Sequence, residues 1–268
     1  MLKASSATVM PHRLPVAYAY FCLYTGLFAL GLLCLGWTPF ALVLQAVLPV
    51  KWGRWAGRRV ITLVFRSFLW LLSSLGACRF DLAELDGLRD AGPLILAPNH
   101  PSLLDAVMVI SRLPDVVCVM KAELMRNLFL GAGARLAGYI PNGQPFAMVK
   151  AACADLRDGS QLLLFPEGTR TVRPPVNALL PAAGLIARRS QVPVQALIIE
   201  TDSAYLTKGW PLFRCPSMPI HYRVRLGRRF APPADAVRFA GELGAHLGAE
   251  LARARWTPPY GVLPRPAQ

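Results

Sequence analysis

The stretch Leu94-Ile95-Leu96-Ala97-Pro98-Asn99-His100-Pro101-Ser102-Leu103-Leu104-Asp105 decides the fold. It opens as a short apolar run, stops at Pro98, turns through His100, and resumes on residues that start helices. The pattern predicts a strand over Pro93–Ala97 and a helix over Leu103–Arg112. A second stretch, Leu162-Leu163-Leu164-Phe165-Pro166-Glu167-Gly168-Thr169-Arg170, repeats the plan of strand, proline and polar turn. Short apolar runs at Val116–Met120, Val194–Glu200 and His221–Leu226 read as further strands. Lys121–Ala137, Phe146–Arg157, Ala178–Arg189 and Ala234–Ala254 read as helices. Strands alternating with helices predict an α/β fold, a mixed sheet flanked by helices.

In such sheets the residues just beyond the carboxyl ends of strands line the ligand crevice. His100 stands there, and Asp105 follows on the first helical turn. A carboxylate at that spacing can fold back onto one ring nitrogen, fix the tautomer and raise the basicity of the other nitrogen. That pair would activate a hydroxyl as general base. A histidine at a helix start can equally be a cap, and an Asp there is favoured by the helix dipole alone. In the second stretch Gly168 permits a tight turn, while Thr169 and Arg170 supply donors suited to a phosphate. Glu167 could orient Arg170 or accept from a substrate hydroxyl. If the two strands run parallel, His100 and Arg170 face one crevice. Read alone, the second stretch is equally an ordinary turn with a surface Glu–Arg pair.

Outward from these motifs, composition sets the setting. The chain has 268 residues, 54% hydrophobic and 16% charged, with net charge +14. Ordinary soluble domains carry about 25% charged residues, and disorder needs low hydrophobicity, so a disordered chain is excluded. The first acidic residue is Asp81, and eight basic residues precede it. No charge falls between Leu14 and Val50. The chain thus divides into a basic, apolar leader (1–80), a mixed globular part (81–255) and a Pro-rich tail (256–268).

Leu14–Gly36 supplies enough apolar residues for one membrane span. Thr38-Pro39 interrupts the run, and Phe40–Val50 continues it. One span, a re-entrant hairpin, or helices half-sunk in one leaflet are all compatible with this length. Lys51, Arg54, Arg58 and Arg59 follow directly and place that flank on the cytoplasmic side. The apolar run exceeds a signal-peptide core. Val60–Leu75 reads as an interfacial or core helix. Six cysteines without a C-x-x-C pair read as buried reduced thiols. Four scattered histidines give no metal-ligand spacing. Between Asp202 and Asp235, Lys208, Arg214, Arg223, Arg225, Arg228 and Arg229 interleave with Trp210, Phe213 and Tyr222. That pattern suits nucleic acid, anionic headgroups or a solvated strand face.

Asn99-His100-x-x-x-x-Asp105, followed some sixty residues later by Phe165-Pro166-Glu167-Gly168-Thr169-Arg170, resembles the lysophosphatidic acid acyltransferase (1-acylglycerol-3-phosphate acyltransferase) family. Lys121-Ala122-Glu123-Leu124 and Val192-Pro193-Val194 are similar to its flanking segments. The resemblance implies transfer of a fatty acyl group from acyl-carrier protein or acyl-coenzyme A to a lysolipid hydroxyl. It implies His100 and Asp105 as the catalytic pair, and Asn99, Ser102, Glu167, Gly168, Thr169 and Arg170 as substrate-binding residues. It implies no metal and no organic cofactor. It implies an enzyme of the inner (cytoplasmic) membrane with its globular part on the cytoplasmic face, and membrane lipids, not nucleic acid, as partners.

The chain departs from the family in one block. Where the family has Gly-x-Ile/Val-x-Ile/Phe-Asp-Arg, this sequence reads Gly138-Tyr139-Ile140-Pro141-Asn142-Gly143, and a phosphate-binding cation is missing. A charge-assisted contact of that kind contributes about 1.5–3 kcal/mol. The family's Lys before the last block is also absent around Leu180–Ala183. A lyso-aminolipid or a specialised lipid such as a polyene therefore competes with lysophosphatidic acid as acceptor. A membrane-bound scaffold without chemistry is the rival class, and the presence of both His100 and Asp105 argues against it.

Overall fold

Strands too short to stand alone are stacked side by side in one seven-stranded sheet. The computed structural model describes residues 14–256. Two long helices come first, α1 (Val16–Val47) and α2 (Val50–Ser74). The strands are β1 (Cys78–Asp81), β2 (Ile95–Pro98), β3 (Val116–Met120), β4 (Ile140–Pro141), β5 (Gln161–Leu163), β6 (Val194–Thr201) and β7 (Ile220–Phe230). Between them lie α3 (Asp105–Arg112), α4 (Gly131–Leu136), α5 (Pro145–Arg157) and α6 (Ala182–Ser190), and α7 (Ala236–Ala252) closes the described chain.

The spatial order is β1-β7-β6-β2-β5-β3-β4. Neighbours from β6 to β4 are parallel, β7 is antiparallel to β6, and β1 runs parallel to β7. The mixed sheet expected from the sequence is therefore present. Central β2 and β6 are buried at every position, covered on both faces; β2 is wholly apolar, whereas β6 buries Gln195, Glu200 and Thr201 among its apolar residues. Helices α1 to α4 cover one face, and α5, α6 and α7 cover the other.

The leader joins the same core as the sheet. Ala19, Cys22, Leu23, Ile61, Phe68, Leu69 and Leu72 are buried with Leu94, Leu96 and Met108 in one cluster. The boundary near residue 80 is one of composition that packing crosses. Gly57 lets α2 approach α4 backbone to backbone, since an added Cβ would meet the Ala137 amide nitrogen at 2.8 Å. Arg58 enters the interior from α2. Its guanidinium donates to Asp115 Oδ1 at 2.7 Å, Ser160 Oγ at 2.6 Å and Asp155 Oδ1 at 3.1 Å, and its Nε donates to the Ala137 carbonyl. Arg54 also pairs with Asp155 at 3.3 Å. Two of the four cations expected to border a membrane run thus hold the leader to the globular part instead.

Three expectations change in detail. Pro39 does not end the first helix, and α1 runs through it for 32 residues. The single helix expected over Lys121–Ala137 is instead a 3-10 turn at Ala122–Arg126 followed by α4. Asn127 breaks it, because its Oδ1 accepts the amides of Phe129 and Leu130 and offers the backbone a competing local bond. The helix expected from Ala178 begins at Ala182, just after Pro181. The six cysteines are free, five of them buried. The Pro-rich tail lies outside the described residues apart from Trp256.

Candidate active site at the carboxyl ends of β2 and β5

Parallel pairing of β2 with β5, Ile95 opposite Leu162 and Leu96 opposite Leu163, brings the two motifs to one edge of the sheet. His100 follows β2 and Glu167 follows β5. The His100 amide donates to Glu167 Oε1 at 2.8 Å. Thr171 closes the junction twice: its amide donates to the His100 carbonyl at 2.7 Å and its hydroxyl donates to Glu167 Oε1 at 2.8 Å. Glu167 Oε2 accepts the Asn177 amide at 2.8 Å. Glu167 is buried, and all its bonds are internal. Burial pushes its carboxyl up, opposed by the amides of Asn177 and His100 and the Thr171 hydroxyl.

The His100 side chain keeps 16% of its surface exposed and stacks on Phe165, ring centroids 3.9 Å apart. Its Nδ1 lies 2.8 Å from Asp105 Oδ2. The same oxygen accepts the Ser102 amide at 2.8 Å, while Ser102 Oγ accepts the Leu104 amide at 3.3 Å. These bonds tie together the turn that leads into α3, whose own N-cap residue, Leu104, makes no side-chain cap. One carboxylate oxygen thus does two things: it ties the turn before α3 and holds the imidazole. An acceptor at Nδ1 puts the proton there and leaves Nε2 free as a base. Asp105 is fully buried, and its Oδ1 has no protein partner. Burial pushes its carboxyl up, opposed by His100, the Ser102 amide and nearby Arg170.

The remaining expected residues divide by exposure. Asn99 is buried, and its side-chain amide bridges to β6, donating to the Ile199 carbonyl at 2.9 Å and accepting the Ile199 amide at 2.7 Å. It continues the β2–β6 ladder past Pro98, which cannot donate. Ser102 is buried, and its hydroxyl donates to the Tyr205 carbonyl at 3.1 Å. Both side chains are turned into the protein. Gly168 sits at φ +67° and is exposed, with Thr169 beside it. Arg170 lies near Asp105, but its Nη1 donates to the carbonyls of Leu206 at 2.8 Å and Thr207 at 2.9 Å. Asn142, where the family block has Asp, accepts the Ala122 amide at 3.2 Å and so serves its own loop.

Sequence reasoning missed Thr171, Asn177 and the Tyr205–Thr207 segment. Asn177 also accepts the amides of Val172 and Arg173 and so shapes the loop after the second motif. The available signal was its place in Pro174-Pro175-Val176-Asn177, a turn composition. Nothing in the local pattern of Tyr205–Thr207 pointed to the site.

The acyltransferase family profile matches residues 79–200, which contain both motifs. Residues 79–200 therefore form an acyltransferase-family domain. The likeness to lysophosphatidic acid acyltransferases also holds in the relatives. Over 134 residues the chain is 27% identical to 1-acyl-sn-glycerol-3-phosphate acyltransferase beta of Homo sapiens, covering 47% of this chain and 48% of that protein. Over 202 residues it is 25% identical to lysophosphatidylcholine acyltransferase 1 of Danio rerio, covering 69% of this chain and 36% of that protein. The chain thus matches half or less of these curated relatives' length. Among solved structures, the 1-acyl-sn-glycerophosphate (LPA) acyltransferase PlsC of Thermotoga maritima shares the fold with a TM-score of 0.60 at 15% identity. The match covers 89% of this chain and 98% of that one.

Proposed function

We propose that the protein is a membrane-associated O-acyltransferase that esterifies a lysophospholipid with a fatty acyl group from an acyl thioester, on acyl-carrier protein or coenzyme A. The observation that carries this reading is the 2.8 Å contact from His100 Nδ1 to Asp105 Oδ2, which leaves Nε2 free to act as a base. His100 Nε2 takes the proton of the acceptor hydroxyl as its oxygen attacks the thioester carbonyl. The tetrahedral intermediate collapses with loss of the thiolate, which recovers the proton from the imidazolium. Asp105 stabilises the imidazolium and holds the ring. Phe165 restricts the ring from its face. Asn99, Ser102 and Glu167 act by positioning. Gly168, Thr169 and Arg170 are the groups of the second motif left to meet the acceptor's head, Arg170 through the nitrogens other than Nη1.

Membrane association rests on α1. The helix is long and apolar enough to cross a bilayer, and 11% of its most apolar window is buried. Yet α1 touches the globular part along its length: Tyr24 stacks beside Phe213, Thr38 donates to the Leu128 carbonyl and Gln45 to the Ala132 carbonyl. These contacts are spread over about 30 Å of helix. They favour an α1 sunk sideways in one leaflet, the cytoplasmic leaflet of the inner membrane. The acceptor has a second reading. Gly143 carries no side chain where a phosphate cation is expected, and Arg170 Nη1 is already bonded to two carbonyls. An acceptor with a less anionic head fits that arrangement.

The test is turnover by the purified full chain in mixed micelles. Acyl-carrier protein and coenzyme A thioesters are offered with a panel of lysolipids and other hydroxyl lipids. His100→Ala should abolish transfer to every acceptor, and retained transfer would remove His100 as base. Fast turnover of lysophosphatidic acid would remove the second reading of the acceptor.

A further inference from the structure

The basic, aromatic stretch from Lys208 to Arg229 contains two kinds of cation. On β7 the arginines have partners: Arg223 pairs with Asp81 and Glu84, Arg225 with Glu200 and Glu250, and Arg228 with Glu242. Arg229 donates to Gln195. These side chains knit the sheet edge to α7 and to the turn after β1. The loop before β7 differs. Lys208 and Arg214 are exposed, with no carboxylate in ion-pair range among the described residues, and the Arg214 guanidinium covers the Trp210 ring at 4.8 Å. Between them the loop tip presents Leu212 and Phe213, 47% and 64% exposed.

That tip lies against α1. Phe213 stacks beside Tyr24 with centroids 6.4 Å apart, and Tyr24 continues an exposed row of Tyr20, Tyr24 and Phe28. Farther along α1 a second loop repeats the device. Leu128 and Phe129 are 64% and 45% exposed, Phe129 lies beside Gly31, and exposed Arg126 precedes them without a carboxylate partner among the described residues.

We propose that these two Leu–Phe tips, with Arg126, Lys208 and Arg214, are the globular domain's own contacts with an anionic lipid surface. Together they widen the apolar face of α1. The proposal rests on the membrane reading of α1. Apolar tips flanked by free cations suit a bilayer, where Leu and Phe enter the acyl boundary and Lys and Arg meet headgroups. A second copy would bring another +14 against the same cations. Nucleic acid gives no role to two exposed Leu–Phe pairs beside an apolar helix. The root of the Phe213 loop also meets the site. Leu206 and Thr207 carbonyls accept Arg170, the Leu206 carbonyl accepts the Leu103 amide, and the Tyr205 carbonyl accepts Ser102 Oγ. A bilayer held at this tip therefore lies beside His100, where a lysolipid would leave it.

The experiment is vesicle flotation of the full chain on phosphatidylcholine alone and on phosphatidylcholine mixed with phosphatidylglycerol. The paired change Leu212→Ser and Phe213→Ser should weaken partitioning about tenfold on both vesicles. Lys208→Gln with Arg214→Gln should weaken it about thirtyfold on anionic vesicles and leave phosphatidylcholine binding unchanged. Phe146→Ser, 72% exposed at the start of α5 on the other layer, should change nothing. Circular dichroism and thermal melting report whether each variant is folded. Wild-type flotation that the loop variants match would overturn this proposal while sparing the membrane reading. Absence of wild-type flotation would overturn both. Loss with Phe146→Ser equal to that at the tip would overturn the assignment of the surface. So would tighter binding to nucleic acid than to vesicles, abolished by the glutamine pair.

Discussion

The backbone amide of His100 donates to the Glu167 carboxylate at 2.8 Å, so the second motif sets where the first motif's histidine stands. Glu167 is a junction among His100, Thr171 and Asn177 before it is anything else. Glu167→Gln keeps one carbonyl oxygen but turns an NH2 toward a donor. It should cost about 1–3 kcal/mol in denaturant unfolding and lower turnover together with stability. An unchanged unfolding midpoint with lost turnover would show that Glu167 touches substrate instead.

Asp105→Asn tests the other half of the pair. Asn keeps an oxygen for the Ser102 amide but loses the charge that supports the imidazolium. Turnover should fall about 100- to 10,000-fold with the acceptor KM little changed. An Asp105→Asn enzyme with near-normal kcat would leave the carboxylate as a tie for the Ser102 turn only.

The same two carboxylates predict a pH dependence of stability. Burial raises both, so the folded protein holds their protons more tightly than the unfolded chain does. Their contribution is therefore greatest below the ordinary carboxylate range and is lost as pH rises through the raised folded values. The urea midpoint of wild type minus that of Asp105→Asn should fall as pH rises across that window. A difference that is flat or rises with pH would contradict the burial argument.

Arg58 offers a stability test far from the site. Breaking its buried pair with Asp155, both side chains under one-tenth exposed, leaves that buried carboxylate only the longer contact with the more exposed Arg54. Arg58→Ala should cost about 3–5 kcal/mol in chemical unfolding. A cost below about 1 kcal/mol would mean that α2 is held by apolar contacts alone.

Gly57→Ala should also destabilise, against the helix preference that favours Ala by about 1 kcal/mol. The added methyl would meet the Ala137 backbone at 2.8 Å and drive α2 off α4. A raised melting temperature would show that the two helices can separate freely.

The sheet was legible in the sequence wherever a strand is covered on both faces. β2 and β3 are unbroken apolar runs, β5 and β6 are predominantly apolar, and the parallel pairing of these four follows from the helices between them. The His100–Asp105 spacing and the meeting of the two motifs were legible for the same reason. β1 was not, because Cys78-Arg79-Phe80-Asp81 is a polar edge strand that only its register with β7 defines. β4 is two residues long and carries no pattern. The inward turn of Asn99 depends on a β6 residue one hundred positions away. The interior role of Arg58 depends on Asp115 and Asp155, and read locally it looked like a membrane flank.

Arg58 has one more consequence. Because a side chain of the second leader helix is bonded to four separate points of the globular part, cutting the chain near residue 80 would leave Asp155 without its cations and Met108 without its cover. The leader is then no detachable tether. Truncation should yield an insoluble or unfolded product in place of a soluble enzyme. Swapping the leader for a foreign anchor would fail for the same reason, and whatever fixes this protein's address in the cell is inherited with its fold.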